Sequence, residues 1–449
     1  MRRFFLVLWV ALSLASPSVA EELPYGAPQS VGAGAGSFGV VAADLDGDGD
    51  LDVISTARTG NALRWFDNVD GDGSLWGSNL VANGVLGVSG LVAGDVDGDG
   101  DIDIAVTEQL GDAVAWYENV LGDGTSWLRV EVAAAVNEAF DLAAADLDAD
   151  GDLDLVATAT TGDQVLWFEN VAGDGTIWLT GVIDGGLNGA AYLDVGDVDG
   201  DGTLDVVAAG LDQDQIRWYG NAAGDGSVWV TTTLAVNWNG PAGVTLIDAD
   251  GDGDLDVAAA ANLQSDVRLY ENVDGVGLTW SFVSIAAPGS SPLAVDAADA
   301  DGDGDDDLLV AVYDADLALV LENADGAGNV WTQRVVLQGD GPARLRLADL
   351  DGDGDLDPLG TFENGGGVVW SPNQRVHDSS FFATEQTITS GVAAPEALVA
   401  GDLDGDADAD LLVGSATGVH WLRNSAGNGS AFTLVAVDAS QPVTAVALA

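Results

Sequence analysis

The stretch Val92-Ala93-Gly94-Asp95-Val96-Asp97-Gly98-Asp99-Gly100-Asp101-Ile102-Asp103-Ile104-Ala105 decides how this chain is read. An apolar run enters a loop of alternating Asp and Gly, and a β-branched, alternating run leaves it. Asp-x-Asp-Gly-Asp-Gly-x-x-Asp recurs in nearly this form eight times, starting at Asp44, Asp95, Asp146, Asp197, Asp248, Asp299, Asp349 and Asp402. The copies are 50 to 53 residues apart. A fixed period of that length means one supersecondary unit repeated in tandem.

Around the second copy the unit reads as four short strands. Gly90–Gly94 leads into the acidic loop, Ile102–Thr107 follows it, and Ala113–Asn119 comes after a Gly111-Asp112 turn. Trp127–Val132 follows a second turn that contains Gly122-Asp123-Gly124. Each run is bounded by Gly, Asp or Asn, and none has the 3.6-residue periodicity of a helix. Four antiparallel strands per unit predict an all-β protein, a β-propeller of four-stranded blades. Eight blades are preferred and seven remain open, because Gln29–Gly32 aligns as a fourth strand ahead of the first unit. Pro442–Ala449 aligns as a first strand after the last.

Two tryptophan series keep phase with the motif. Trp65, Trp116, Trp167, Trp218 and Trp370 lie 21 residues after their first Asp; Trp76, Trp127, Trp178, Trp229, Trp280 and Trp331 lie 32 after. Large aromatics in fixed phase are expected to fill the space between sheets.

The acidic loops predict metal sites. Calcium takes six to eight oxygen ligands at irregular angles, which closely spaced carboxylates provide. The candidate ligands are Asp44, Asp46, Asp48, Asp50 and Asp52 in the first loop, then Asp95, Asp97, Asp99, Asp101 and Asp103, then Asp146, Asp148, Asp150, Asp152 and Asp154. The fourth loop offers Asp197, Asp199, Asp201, Thr203 and Asp205, the fifth Asp248, Asp250, Asp252, Asp254 and Asp256, the sixth Asp299, Asp301, Asp303, Asp305 and Asp307. The seventh offers Asp349, Asp351, Asp353, Asp355 and Asp357, and the eighth Asp402, Asp404, Asp406, Asp408 and Asp410. Up to eight calcium ions are expected. The first three acids of a loop are expected to converge, and the last, Asp52 in the first copy, to close the cage. Ala407 replaces the turn glycine in the eighth loop, which should be the weakest site. An EF-hand is excluded, since position 12 is Ser55 or Val106 and strands flank the loop.

Composition agrees. The chain carries a formal net charge of −62, and the eight motifs hold 40 of its 74 acidic residues. That excess opposes nucleic acid or an anionic membrane as partner. There is no cysteine, and all 12 basic residues are arginine. Arg2 and Arg3, an apolar stretch from Phe4 to Ala15, and Ser18-Val19-Ala20 predict a signal peptide over residues 1–20. The propeller is expected over 21–449, and the protein is expected to be secreted, periplasmic or on the cell surface.

The acidic segments resemble the FG-GAP/VCBS repeat family, which includes the β-propeller of integrin α subunits. Phe38-Gly39 supplies an "FG" ahead of the first loop, and the resemblance runs from residue 29 to about 449. It implies a seven- or eight-bladed propeller with calcium in the hairpin joining the first two strands of each blade. It also implies that those loops lie on the face opposite the usual ligand surface. On that other face, Tyr192, Asn237, Trp238 and Asn239 are candidates for contacting an extracellular protein or glycan. Nothing marks a nucleophile, and the expected role is non-catalytic binding or adhesion. The alternative is a calcium-dependent polysaccharide lyase, for which Arg375 and His377 are the candidates. His377 and His420 are otherwise expected at the surface.

Overall fold

The computed structural model describes residues 25–286, 289–365 and 367–374, together with the strands Pro395–Gly401, Asp410–Ser415, Gly418–Asn424 and Phe432–Asp438. The signal-peptide segment, Arg375, His377, the eighth acidic loop up to residue 409, and Pro442–Ala449 lie outside these residues. The described chain is strand throughout, apart from one 3-10 turn at Tyr313–Ala315. It contains no helix long and apolar enough to cross a membrane.

The first unit shows why each strand forms. β1 (Gln29–Ala33) precedes it; β2 (Ser37–Ala43), β3 (Asp52–Ala57), β4 (Ala62–Asn68) and β5 (Trp76–Asn83) form one antiparallel sheet in chain order. β3 is Asp-Val-Ile-Ser-Thr-Ala, buried along its whole length, as expected of a β-branched strand covered on both faces. β5 alternates exposed and half-buried residues and forms the outer edge.

Seven such sheets close into a ring. The first strand of each packs on the first strand of the next, and the strands Pro342–Ala348 and Ser37–Ala43 meet to complete the circuit. The seventh sheet takes its fourth strand from the N-terminus: β1 pairs antiparallel with Gly367–Trp370. Gln29–Gly32 is therefore the fourth strand that its alignment suggested, but it completes a ring of seven. This corrects the preferred count of eight. The physical reason is that a strand supplied from the far end of the chain seals the ring without another sheet. The remaining four strands form an antiparallel sheet in a second compact unit, residues 379–449. In that unit His420 is 7% exposed and sits between Val413 and Ala436, which corrects its expected surface position.

The first tryptophan series fills the gaps between sheets: Trp65, Trp116, Trp167, Trp218 and Trp370 are each 6% exposed or less. Each ring lies on a hairpin glycine of the next sheet, Trp65 on Gly124, Trp116 on Gly175 and, across the closure, Trp370 on Gly73. The second series is half-buried, its indole N–H donating to the carbonyl of that same glycine, as from Trp127 to Gly124 at 2.8 Å. A Cβ on Gly124 would sit 2.4 Å from the Trp65 ring, at a φ of +68°. Gly124→Ala is expected to destabilise the protein by about 3 kcal/mol, combining overpacking with left-handed strain. Chemical denaturation of the variant measures it.

The first strands surround a central shaft. Arg344 of the seventh sheet reaches Asp141 of the third at 2.5 Å, and its guanidinium lies 4.1 Å over the Tyr192 ring. This pair links the third and seventh sheets across the ring.

Candidate metal centres

Each acidic loop joins the first and second strands of a sheet, so all seven loops of the ring emerge on one face. The hairpin between the third and fourth strands emerges there too. The second-to-third turns and the links between sheets emerge on the opposite face.

Inside a loop, the first Asp organises the backbone. Asp44 Oδ1 accepts the amide of Gly47 at 2.8 Å and Oδ2 that of Gly49 at 3.0 Å. The Gly49 type of bond recurs at Gly100, Gly151, Gly202, Gly253, Gly304 and Gly354. Gly49 has a φ of 101°, a conformation that disfavours any side chain. In the third loop Ala149 stands where the other described loops have glycine, and it still turns left-handed at φ 61°.

The expected convergence is present. Carboxylate oxygens of Asp44, Asp46 and Asp48 lie within 4.8 Å of one another, as do those of Asp95, Asp97 and Asp99, of Asp146, Asp148 and Asp150, and of Asp248, Asp250 and Asp252. In the fourth loop the group is Asp197, Asp199 and Asp205. There Thr203 donates its hydroxyl to Asp201 at 2.6 Å.

Two sets of the expected ligands also have partners within the protein. The last Asp of a loop fastens backbone: Asp52 is 1% exposed, and its oxygens accept the amides of Leu45 at 3.1 Å and Asn68 at 2.9 Å. Asp103, Asp154, Asp256, Asp307 and Asp357 repeat this pair of bonds. The fourth loop's Asp205 makes the same two bonds while also joining the cluster. The strand start buries this carboxylate, and unpaired amides claim it. At the seventh position, the side chains of Asp50 and Asp101 lie against the hairpin glycines Gly71 and Gly122.

Electrostatics shows what these groups lack. Burial, and after it the carboxylates of Asp48 and Asp67, push Asp46 above the usual carboxylate range. Burial followed by like charge does the same to Asp97, Asp148, Asp199, Asp250 and Asp351. Burial pushes Asp52 and Asp103 up to about 7 against the pull of their backbone donors. Asp46 Oδ1 and Asp95 Oδ1 are buried and accept no hydrogen bond. Hard oxygen donors, crowded, repelling and partly orphaned, fit a hard divalent cation.

The sequence reading missed two participants. One is an acid 23 residues after the first Asp of the motif, whose charge bears on the third-position carboxylate: Asp67 on Asp46, Glu118 on Asp97, Glu169 on Asp148 and Glu271 on Asp250. The other is an asparagine at 24. Asn119 Nδ2 donates to Leu45 O in the preceding acidic loop at 2.8 Å, and Asn119 Oδ1 accepts Gly124 N at 3.0 Å. The same link runs from Asn170 to Val96, Asn221 to Leu147, Asn272 to Val198, Asn323 to Ala249, Asn373 to Ala300 and, across the closure, Asn68 to Leu350. Each loop is thus tied to the next sheet. The constant phase of this Asn was the available signal.

On the opposite face the expected contact residues separate. Asn237 and Asn239 are exposed. Trp238, between them, is 1% exposed, under the Arg268 guanidinium at 4.6 Å and edge-on to Tyr270. It is a core residue, which corrects its placement on the ligand surface: an indole this large gains more from burial than from solvent. Tyr192 is 3% exposed and lines a cavity of about 480 Å³ at the mouth of the shaft.

The FG-GAP-like repeat model matches six overlapping segments, residues 44–106, 95–157, 146–208, 197–259, 248–310 and 301–359. No curated protein matches the chain. Among solved structures, BBS1N in complex with ARL6DN is similar at 15% identity and a TM-score of 0.56, covering 79% of this chain and 98% of that one. A streptogramin B lyase is similar at 12% identity and 0.55, covering 78% and 98%. An Agrocybe aegerita lectin structure, on recognition of non-reducing terminal N-acetylglucosamine, is similar at 19% and 0.47, covering 79% and 94%. At these identities the first two share the fold.

Proposed function

This chain belongs to the FG-GAP-like repeat family, and from that premise we propose that it is a secreted or cell-surface β-propeller, stabilised by calcium, that acts as a non-catalytic binding module for an extracellular protein or glycan. The observation that carries the calcium assignment is the recurrent trio of carboxylates, with ligand atoms within 4.8 Å in loop after loop. In the first loop Asp44, Asp46 and Asp48 would hold the ion, which would supply the positive charge that their mutual repulsion calls for. With one face given over to metal loops, the opposite face is the one available for a partner. The chain has neither cysteine nor lysine, which removes two nucleophile classes.

Calorimetric titration of residues 21–449 with calcium tests the assignment. Seven or eight ions are expected, and one fewer in Asp44→Ala/Asp46→Ala, with the first sheet loosened. Uptake of one or two ions, or an unchanged count in the double variant, would overturn it.

A further inference from the structure

The sheets of the ring follow one pattern, so positions that abandon it carry information. Eight residues before each motif the backbone turns left-handed. Five sheets place glycine there: Gly36, Gly87, Gly189, Gly240 and Gly341, all with φ between 63° and 70°. The other two have Glu138 at φ 50° and Ser291 at φ 63°. A side chain at such a backbone angle is strained, and strain kept in place points to use. Both side chains line the same cavity at the mouth of the shaft.

A second departure meets the first. Fourteen residues after the start of each motif stand Arg58, Gln109, Thr160, Leu211, Asn262, Tyr313 and Glu363. These are seven different residues, one from each sheet, and all seven lie on the wall of that cavity. Ten residues further on, every sheet of the ring has the same asparagine. Variation is therefore concentrated where the sheets converge on one space. At the floor, the Tyr192 hydroxyl is buried and has no hydrogen-bond partner. Burial pushes its pKa up to about 12, so it stays a neutral donor.

We propose that this cavity binds the end of a neutral glycan, with Glu138 and Ser291 among the residues that select it. The inference rests on the binding-module reading above and names its site and ligand class. The wall carries three carboxylates, Glu138, Asp314 and Glu363, against one guanidinium. Arg58 is itself engaged, 2.5 Å from Gln109 Oε1 and 3.8 Å from Glu363. That balance rejects uronates, sialylated chains and phosphates, and it accepts hydrogen bonds from sugar hydroxyls. The apolar side chains of Phe38, Phe140 and Leu293 offer a surface for the C–H face of a pyranose. A cavity of about 480 Å³ with polar and apolar side chains in its wall suits a compact polyol better than an extended peptide, and the size is that of small-ligand sites.

Saturation-transfer NMR of residues 21–449 in calcium tests this against hexoses, N-acetylhexosamines, a uronic-acid oligosaccharide and a sialylated oligosaccharide. A neutral saccharide is expected to bind and the acidic ones are not. Glu138→Gly and Ser291→Gly restore the glycine used by the other sheets, so both variants should melt a few degrees higher while affinity falls about tenfold, as loss of a hydrogen bond to a charged or strained group predicts. The proposal is overturned if no neutral saccharide binds, if acidic ones bind instead, or if both variants bind as the parent does. A chain that takes up calcium but binds no sugar sinks the ligand assignment alone.

Discussion

Chelation of residues 21–449 with EDTA is expected to lower the melting temperature by about 10–20 °C relative to millimolar calcium, since the contributions of the sites add and each kcal/mol shifts the melt by about 1 °C in a chain of this size. A site filled at about 100 times its dissociation constant contributes about 2.7 kcal/mol. The seven loops of the ring repeat the same arrangement, and in the absence of a cation each holds like charges at close range. The stabilisation is not confined to the loops. Each loop's backbone is tied by its last Asp to the third strand and by an Asn to the next sheet. A loop that opens therefore loosens two sheets. Differential scanning calorimetry in calcium and in EDTA reads the effect directly. A melt that does not move would mean that the hydrogen bonds alone hold the loops.

Asn119→Ala is expected to cost about 3–5 kcal/mol, because it leaves the Leu45 carbonyl and the Gly124 amide buried without their partner, at about 1–3 kcal/mol each, and adds a small cavity. Asn119 is 1% exposed, so water does not replace the lost bonds. Asn119→Asp separates the two roles. It keeps the acceptor for Gly124 and loses the donor to Leu45, while placing another negative charge beside an acidic loop. Its loss should equal or exceed that of the alanine variant. Urea denaturation of both variants measures this, and a cost below about 1 kcal/mol would show that the link between sheets is dispensable.

The convergence of Asp44, Asp46 and Asp48 was legible because spacing alone brings alternate residues of a tight turn to one side. The role of Asp52 was not. Whether this carboxylate also meets two backbone amides depends on where Asn68 and Leu45 lie, and Asn68 reaches Asp52 from the third strand. Trp238 misled for a related reason. Out of phase with the other tryptophans and flanked by Asn237 and Asn239, it read as exposed. Its burial depends on Arg268 and Tyr270, about 30 residues further along the chain.

By itself the sequence determined the repeat, the four strands of each unit, the acidic clusters and the aromatic packing, because these are properties of a short segment recurring in fixed phase. Only the tertiary structure decided how many sheets close the ring, which Asp fastens and which converges, and which unlike residues meet at the mouth of the shaft. Closure is a property of the sum of the angles between sheets, and β1 satisfies it by pairing with Gly367–Trp370 from the far end of the ring. The seven residues of the cavity wall stand about 51 positions apart, and a local pattern carries no information about which distant side chains share one space.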